Sequence, residues 1–255
     1  MMYSQIQTLL ESLKFKGMLR VFSPVLDRAE KEGWSVSDTL AELLKEELHY
    51  RKERSLENRI KHARIPWNWT LSTFPFERQP AVKKSQIMSL ATAGFVEKGE
   101  NIVFIGEPGT GKSGLAAGLL REALISGYRG LFYNVQDLLN DLYASLADRR
   151  TTNMLKRLCR YDVLLLDELG YLSLSVEQMN AFFKLMAERY QANKATIITT
   201  NLDYPKWYDL FKPKDMVDAL LDRLQHRCIT IRINGHSLRK RPDPSAKKGG
   251  KTSKK

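Results

Sequence analysis

Residues 101–124 read NIVFIGEPGTGKSGLAAGLLREAL, and the order of elements in this stretch decides the fold. An apolar run short enough for one strand leads into a glycine-rich loop, and a helical stretch follows from Lys112. The loop has the spacing glycine, four residues, glycine, lysine and serine, which places backbone N–H groups around phosphate oxygens. Because strand, loop and helix occur in the order that such a loop requires, the stretch predicts a P-loop α/β domain.

Each residue type in this loop has a chemical reason to be there. The glycines at 106, 109 and 111 allow positive φ and a close approach of the backbone to phosphate. We expect Lys112 to contact the β- and γ-phosphates and Ser113 to supply a hydroxyl ligand to Mg²⁺. The predicted nucleotide-binding residues of the loop are Gly106, Glu107, Pro108, Gly109, Thr110, Gly111, Lys112, Ser113 and Gly114.

Four further apolar runs follow the first, at 130–135, 162–167, 195–200 and 228–233. Each gap between runs can hold a helix, so the βαβ rule predicts one five-stranded parallel sheet with right-handed crossovers. Most of the runs are almost continuously apolar, as strands covered on both faces are. The run 228–233 alternates more, which favours a place at an edge of the sheet.

Polar residues stand where these predicted strands end, which is where ligands bind in open α/β sheets. Asp167 is predicted to hold Mg²⁺ together with Ser113, and the adjacent Glu168 to polarise an attacking water. Asn201 follows the next strand and can hydrogen-bond both a γ-phosphate and that water. Two neighbouring carboxylates at the end of a buried strand are costly without a nearby cation, which favours a functional pair.

The chain outside this domain divides into three predicted parts. Residues 1–65 are helical in pattern, with Pro24 as a place for a kink and Ser35 and Asp38 spaced as a capping box. Residues 66–81 are rich in proline and aromatic side chains and read as a linker packed onto the P-loop domain at 82–236. Residues 237–255 form a basic tail, predicted to be disordered.

Charge is the most informative bulk property, because the net formal charge is +12. Such an excess favours a polyanionic partner, and without a base-reading signature we expect contacts led by DNA phosphates. The candidate segments are a basic helix, the segment 148–160 and the tail, although each alone is also compatible with a solvated charged face. The candidate residues are Arg51, Lys52, Arg54, Arg59, Lys61 and Arg64 in the helix and Arg149, Arg150, Lys156, Arg157 and Arg160 in the second segment.

The N-terminal residues do not have the pattern of a signal peptide, since Glu11, Lys14 and Lys16 interrupt the apolar positions. No apolar run approaches the roughly 20 residues that a membrane span needs. We therefore expect a cytoplasmic protein, in which Cys159 and Cys228 are reduced thiols.

Five blocks occur in one order: GEPGTGKS, LLLDELGYLSLS, TTNLDYPKWYDLF, ALLDRLQHR and GHSLR. In this order they resemble the IstB/DnaC branch of the AAA+ ATPases, and most of all the IstB-like helper ATPases of insertion-sequence transposition. The resemblance implies ATP as the nucleotide, Lys112 and Ser113 in Walker A, and Asp167 and Glu168 in Walker B. The further roles that it implies are Asn201 as sensor 1, Arg223 as an arginine finger acting in trans with Arg227 as the competing candidate, and Arg239 as sensor 2. Few residues follow the fifth run, so the helical lid usual in this class is expected to be absent or truncated.

These residues and the resemblance together predict an ATPase that forms head-to-tail homo-oligomers on duplex DNA, remodels it, and recruits or stimulates a cognate transposase. A loader of a replicative helicase, of the DnaC type, shares the ATPase core and is the main alternative. The same residues are also compatible with a DNA-binding scaffold that holds ATP as a structural ligand and with a small-molecule P-loop kinase. The kinase is disfavoured by the basic charge and by the lack of a lid for a second substrate.

Overall fold

The computed structural model describes residues 2–66, 68–147, 149–170 and 174–239. The predicted basic tail therefore lies outside the described residues from position 240 onward. Within them the chain forms two compact units that divide between His62 and Ala63, here called the N-terminal and the C-terminal unit. None of the helices in these ranges is long and apolar enough to cross a membrane.

The N-terminal unit consists of α1 (Met2–Ser12), α2 (Lys16–Glu32) and the long α3 (Val36–Ala63). Its small core is apolar and includes Leu10, Phe22 and Leu43. Pro24, where a kink was predicted, lies inside α2, and the helix continues through it. The interruption lies instead at 13–15, where Lys14 takes a positive φ of 59°. A left-handed residue of this kind ends one helix and redirects the chain for the next.

A buried carboxylate joins two of these helices. Glu47 on α3 is only 5% exposed and accepts hydrogen bonds from the backbone N–H of Gly17 (2.7 Å) and Met18 (3.2 Å), at the start of α2. Arg51 donates its Nε to the same carboxylate at 2.6 Å. Burial acts to raise the pKa of Glu47, but these hydrogen bonds more than offset burial and hold the pKa below its usual value.

The C-terminal unit is built on a five-stranded parallel sheet in the order β2-β3-β4-β1-β5. The strands are β1 (Asn101–Gly106), β2 (Gly130–Asn134), β3 (Val163–Leu169), β4 (Ala195–Thr200) and β5 (Cys228–Ile233). The helices are α4 (Lys84–Leu90), α5 (Gly94–Glu97), α6 (Lys112–Ile125), α7 (Val135–Ala147), α8 (Thr151–Cys159), α9 (Val176–Gln191), α10 (Trp207–Leu210) and α11 (Lys214–His226). The predicted parallel sheet and the edge position of the fifth strand are both confirmed.

The alternation of side chains along β1 explains why the sheet is covered on both faces. Val103 and Ile105 belong to one apolar core, whereas Ile102 and Phe104 belong to a second core on the opposite face. All four are almost fully buried. Successive residues of a strand point to opposite faces, so a continuous apolar run is what a strand between two helical layers requires.

Segments from before β1 and after β5 lie against the glycine-rich loop and α6. The predicted linker contains two short 3-10 turns, Leu71–Thr73 and Phe76–Arg78, and Leu71 packs on α6 so closely that a Cβ at Gly118 would lie 2.5 Å from it. After β5 no helix follows within the described residues. Residues 234–239, here called the strap, instead run along the loop, and Leu238 donates its N–H to the carbonyl of Gly109 at 2.7 Å.

Candidate active site

The glycine-rich loop connects β1 to α6 with a backbone that only glycine adopts without strain. Gly109 and Gly111 have φ values of 82° and 95°, as their positions in the sequence predict. The prediction of a positive φ was wrong for Gly106, which ends β1. A glycine is required there because a Cβ would lie 2.4 Å from the carbonyl oxygen of Ile233 on β5.

Lys112 begins α6 and carries its charge into the site. Its Nζ donates to the carbonyl oxygen of Glu107 at 2.9 Å, so the side chain folds back over the loop. Burial lowers the pKa of Lys112, although the nearby carboxylates of Asp167, Glu107 and Glu168 act to raise it. The lysine and the two acids after the third apolar run are therefore brought together, as the sequence predicts.

Asp167 is buried, with 2% of its surface exposed, at the end of β3. Thr199 on β4 donates its hydroxyl to this carboxylate at 2.5 Å, and Ser113 donates a second hydrogen bond. Burial raises the pKa of Asp167 in spite of these donors. A carboxylate beside a serine hydroxyl is the oxygen-ligand pair that suits Mg²⁺, which takes few protein ligands and completes its shell with water and phosphate. The donor set thus fits the predicted ion.

Glu168 adopts a strained backbone conformation next to Asp167. Its φ is 64°, and the β3–β4 register shifts between Leu166 and Leu169, so the residue sits in a bulge. Asn134 donates its Nδ2 to the Glu168 carboxylate at 3.1 Å, and the Glu168 N–H donates to the Thr199 hydroxyl at 3.0 Å. A non-glycine residue in this region costs about 1–3 kcal/mol, and such strain concentrates at functional sites.

Asn201 follows β4 and packs against the backbone that follows β3. Its Oδ1 lies so close to Gly170 that a Cβ on that glycine would be 2.1 Å away. No side chain other than hydrogen is compatible with this arrangement. The amide is thereby held at the same edge of the sheet as the carboxylates.

These elements enclose a cleft of about 700 Å³. Its walls include Glu168, Asn201 and Arg239 together with most of the loop and the start of α6: Pro108, Gly109, Gly111, Lys112, Ser113 and Gly114. Sequence reasoning missed several further wall residues, which are Trp69, Asn134, Gln136, Thr199, Thr200 and Leu238. The two threonines stand directly before Asn201 and could have been noticed there. Nothing in the local sequence marks Trp69 or Leu238.

The three candidate arginines occupy two places: Arg239 lines the cleft, whereas Arg223 and Arg227 line one smaller pocket outside it. Arg239, at the end of the strap, lines the cleft and is close enough to Lys112 to act on its pKa. Arg227 lies outside the cleft and donates to Asn193 Oδ1 at 2.6 Å and to the Lys98 carbonyl at 3.4 Å. Arg223 is exposed on α11, lines a separate pocket of about 110 Å³, and makes no hydrogen bond or ion pair within the described part of the chain.

The basic residues of α3 do not form one face. Lys52 and Arg59 are seven residues apart and share one side of the helix, whereas Arg54 and Lys61 share another. Several also have partners within the helix: Arg51 binds Glu47, Arg54 pairs with Glu57 at 3.4 Å, and Arg59 donates to Ser55 at 2.6 Å. Arg64 follows α3 with a positive φ of 56°.

The basic residues of the α7–α8 turn and of α8 are more consistently exposed than those of α3. Segment 149–160 contains no acidic residue, and its five arginines and lysines are all exposed. They are Arg149, Arg150, Lys156, Arg157 and Arg160. Leu155 and Leu158 on the opposite side of α8 are fully buried. The buried leucines fix which side of α8 faces outward, so Lys156 and Arg157 face away from the core.

The chain is similar to known ATP-binding proteins over most of its length. Residues 8–246 match the family model described as IstB-like ATP binding protein. The chain is 35% identical to the insertion sequence IS21 putative ATP-binding protein of Pseudomonas aeruginosa, over 92% of this chain and 88% of the relative. It is 33% identical to the IS232 putative ATP-binding protein of Bacillus thuringiensis subsp. berliner, over 93% and 94% of the two chains.

Among solved structures, the DnaC helicase loader aligns with a TM-score of 0.57 and 27% identity, over 68% of this chain and all of that one. AMPPCP-bound DnaA from Aquifex aeolicus aligns with a TM-score of 0.54 and 23% identity, over 65% of this chain and 50% of that one, which shows the fold alone. The fold is that of the AAA+ P-loop ATPases, and the chain belongs to the family of IstB-like ATP-binding proteins.

Proposed function

We propose that this protein is an ATP-dependent DNA-binding helper of transposition. It hydrolyses ATP, assembles head-to-tail on duplex DNA, remodels that DNA, and recruits or stimulates its cognate transposase. Membership of a family of insertion-sequence ATP-binding proteins supports a role in transposition. The single observation that carries the assembly step is the exposed Arg223, which has no partner within the described residues and lies away from the cleft of its own chain.

Each residue at the cleft has a separate role in ATP hydrolysis. Bound ATP with Mg²⁺ supplies the phosphoryl group that is transferred to water. The loop N–H groups and Lys112 hold the phosphates, and Ser113 with Asp167 holds the ion. Glu168 orients the attacking water and accepts its proton, and Asn201 fixes the position of that water. Arg239 reaches the phosphates from the strap.

Arg223 completes the site of a neighbouring subunit. Charge on the transferred phosphoryl group is stabilised by an arginine, and supplying one changes the rate by a factor on the order of 10³–10⁵. Arg227 is the weaker candidate because its guanidinium is already bound to Asn193 at 2.6 Å. A contact in which one surface meets a different surface of the next subunit is head-to-tail, and it closes into a ring or winds into a helix. Hydrolysis therefore depends on assembly.

The DNA-facing surface is centred on the α7–α8 turn. Five exposed cations without an acid in segment 149–160 match the charge of a phosphate backbone. Binding of this kind is weakly dependent on base sequence and strongly dependent on salt. The mixed faces and internal ion pairs of α3 make its cations secondary contacts.

Sedimentation with a duplex of about 50 bp tests the proposal, in the absence of nucleotide and with ADP, ATP or a slowly hydrolysed analogue. Large DNA-bound species should form only with ATP or the analogue, and Lys112→Ala should abolish them. Arg223→Ala should remove DNA-stimulated hydrolysis, whereas the matched variant Arg227→Ala should keep most of it. Equal binding in every nucleotide state would contradict the assembly step. The reverse ranking of the two arginine variants would assign the trans role to Arg227.

A helicase loader remains the second candidate, because the DnaC helicase loader shares 27% identity with this chain. A strand-transfer assay separates the two. Stimulation of a cognate insertion-sequence transposase supports the first function. A preference for single-stranded DNA together with binding to a replicative helicase supports the second.

A further inference from the structure

We propose that Trp69 and Leu238 form the base-binding part of the nucleotide site, with the indole of Trp69 as the surface on which the purine stacks. This inference rests on the proposed ATP site and extends it to residues of the linker and the strap. Neither residue belongs to the glycine-rich loop or to the ends of the strands.

Trp69 has the exposure and the support of a stacking platform. The residue is 42% exposed, and it lines the same cleft as Lys112. Part of its ring rests on the first turn of α6, where a Cβ at Gly114 would lie 2.0 Å from Cε3. The glycine that follows Ser113 is therefore required by the indole. A ring that is fixed on one side and open to a cleft on the other is arranged to receive a second flat ring.

Leu238 also lines the cleft, although it lies at the opposite end of the unit's sequence from Trp69. Its side chain and that of Phe74 both pack on Gly111, where a Cβ would lie 2.9 Å from Leu238 and 2.7 Å from Phe74. The strap that carries Leu238 also accepts two hydrogen bonds from the linker. Gln79 donates its Nε2 to the His236 carbonyl at 2.6 Å, and Arg78 donates to the Leu238 carbonyl at 3.3 Å. Linker and strap thus hold each other against the loop.

The sheet order separates the two ends of the cleft. β1 and its loop lie between β4 and β5. Glu168, Asn134 and Asn201 come from the ends of β2 to β4, so the acids and amides lie on one side of the loop. Leu238 follows β5 and packs in the core that contains Leu71 and Phe74 of the linker, so the apolar surfaces lie on the other side.

A nucleoside triphosphate has the matching polarity, with a flat aromatic base at one end and an anionic chain at the other. Stacking of a base on an aromatic side chain contributes to affinity without any hydrogen bond to the base edge. The expected loss on removing such a platform is about 5- to 150-fold in affinity. The phosphate contacts of Lys112 remain intact, which makes the two contributions separable.

Binding of two ligands to the full-length protein with Mg²⁺ tests the inference: a non-hydrolysable ATP analogue and inorganic tripolyphosphate, which lacks a base. Trp69→Ala should lower the affinity for the analogue by about 5- to 150-fold and leave the affinity for tripolyphosphate unchanged. Trp69→Phe should retain most of the affinity for the analogue. Trp34→Ala, in the N-terminal unit, is the matched control and should change neither ligand. Adding the analogue should quench a tryptophan signal that is absent in Trp69→Phe.

The outcomes distinguish this inference from the proposed site itself. Lys112→Ala should weaken both ligands, and unchanged binding of both by that variant would count against the ATP site. Equal losses of the analogue and of tripolyphosphate in Trp69→Ala would overturn the stacking role, because the indole would then only support the loop. Unchanged analogue binding in Trp69→Ala would overturn it as well.

Discussion

A single methyl group at Gly170 should disable hydrolysis without disturbing nucleotide binding. A Cβ at this position would lie 2.1 Å from Oδ1 of Asn201, whereas ordinary contacts begin near 3.4 Å. The Asn201 amide must therefore move by about 1 Å in Gly170→Ala. The φ of Gly170 is outside the left-handed region, so alanine brings no backbone strain of its own.

The magnitude follows from the role proposed for Asn201. Displacing a positioning group by about 1 Å costs on the order of 100-fold in rate, which corresponds to about 2.7 kcal/mol of barrier. We expect the kcat of DNA-stimulated ATP hydrolysis to fall by about that factor. The affinity for a non-hydrolysable analogue and the thermal midpoint should stay near those of the wild type, because the clash is with the end of a flexible side chain. Phosphate release at saturating ATP measures the first quantity.

Two controls make the result decisive. Gly94→Ala should behave as the wild type, since the nearest atom to its added Cβ is 3.8 Å away. Combining Gly170→Ala with Asn201→Ala should be no slower than Asn201→Ala alone, because the methyl group then has no amide to displace. A wild-type rate in Gly170→Ala, or multiplied losses in the double variant, would refute the reasoning.

Three further predictions concern stability and DNA binding. Glu47→Gln should destabilise the N-terminal unit by about 1–3 kcal/mol at pH 7 in urea unfolding, because the backbone donors of α2 lose a charged acceptor. The pKa of Glu47 is lowered in the folded protein, so the Glu47 carboxylate stabilises the fold at pH values above its pKa in the unfolded chain. This stabilisation is lost as the pH falls through the pKa of the folded protein. The difference in unfolding free energy between Glu47→Gln and the wild type should therefore shrink below about pH 4. Arg189→Met should destabilise the C-terminal unit by at least about 1–3 kcal/mol and lower its thermal midpoint. The fully buried guanidinium donates to Thr196 at 3.1 Å and to the carbonyls of Leu158 at 2.9 Å and Tyr161 at 3.0 Å, and these acceptors would lose their donor. An unchanged midpoint would contradict this. Arg157→Ala should reduce the slope of log affinity against log salt by about 0.9 for duplex DNA, and an unchanged slope would remove α8 from the interface.

Local order along the chain was enough to place most residues of the proposed site. The loop from Gly106 to Ser113 could be read directly, since strand, glycines and helix are contiguous and each depends on neighbours in sequence. The acids after the third apolar run and Asn201 after the fourth could be placed at one edge of a sheet, because parallel strands end on the same side. The five parallel strands and the edge position of β5 follow from the same periodicity.

Other features depend on contacts between residues that are distant in the sequence. The sequence alone does not give the strand order β2-β3-β4-β1-β5. The pairing of β3 with β4 puts Thr199 beside Asp167, and the place of β1 between β4 and β5 separates the acidic from the apolar side of the cleft. Nor does the sequence distinguish Arg223 from Arg227, of which only Arg227 donates hydrogen bonds to Asn193 and to the Lys98 carbonyl within the described residues.

The amino-acid sequence by itself determined the phosphate loop, the strands and the charged residues at their ends, since these are properties of neighbouring residues. Only the tertiary structure decided which other side chains complete the cleft. Trp69 and Leu238 precede and follow the entire sheet, and they reach one loop because Gly111 and Gly114 carry no side chain to keep them away. Trp69 and Leu238 complete the cleft because segments that are distant in the sequence pack closely together, and no local sequence pattern encodes that packing.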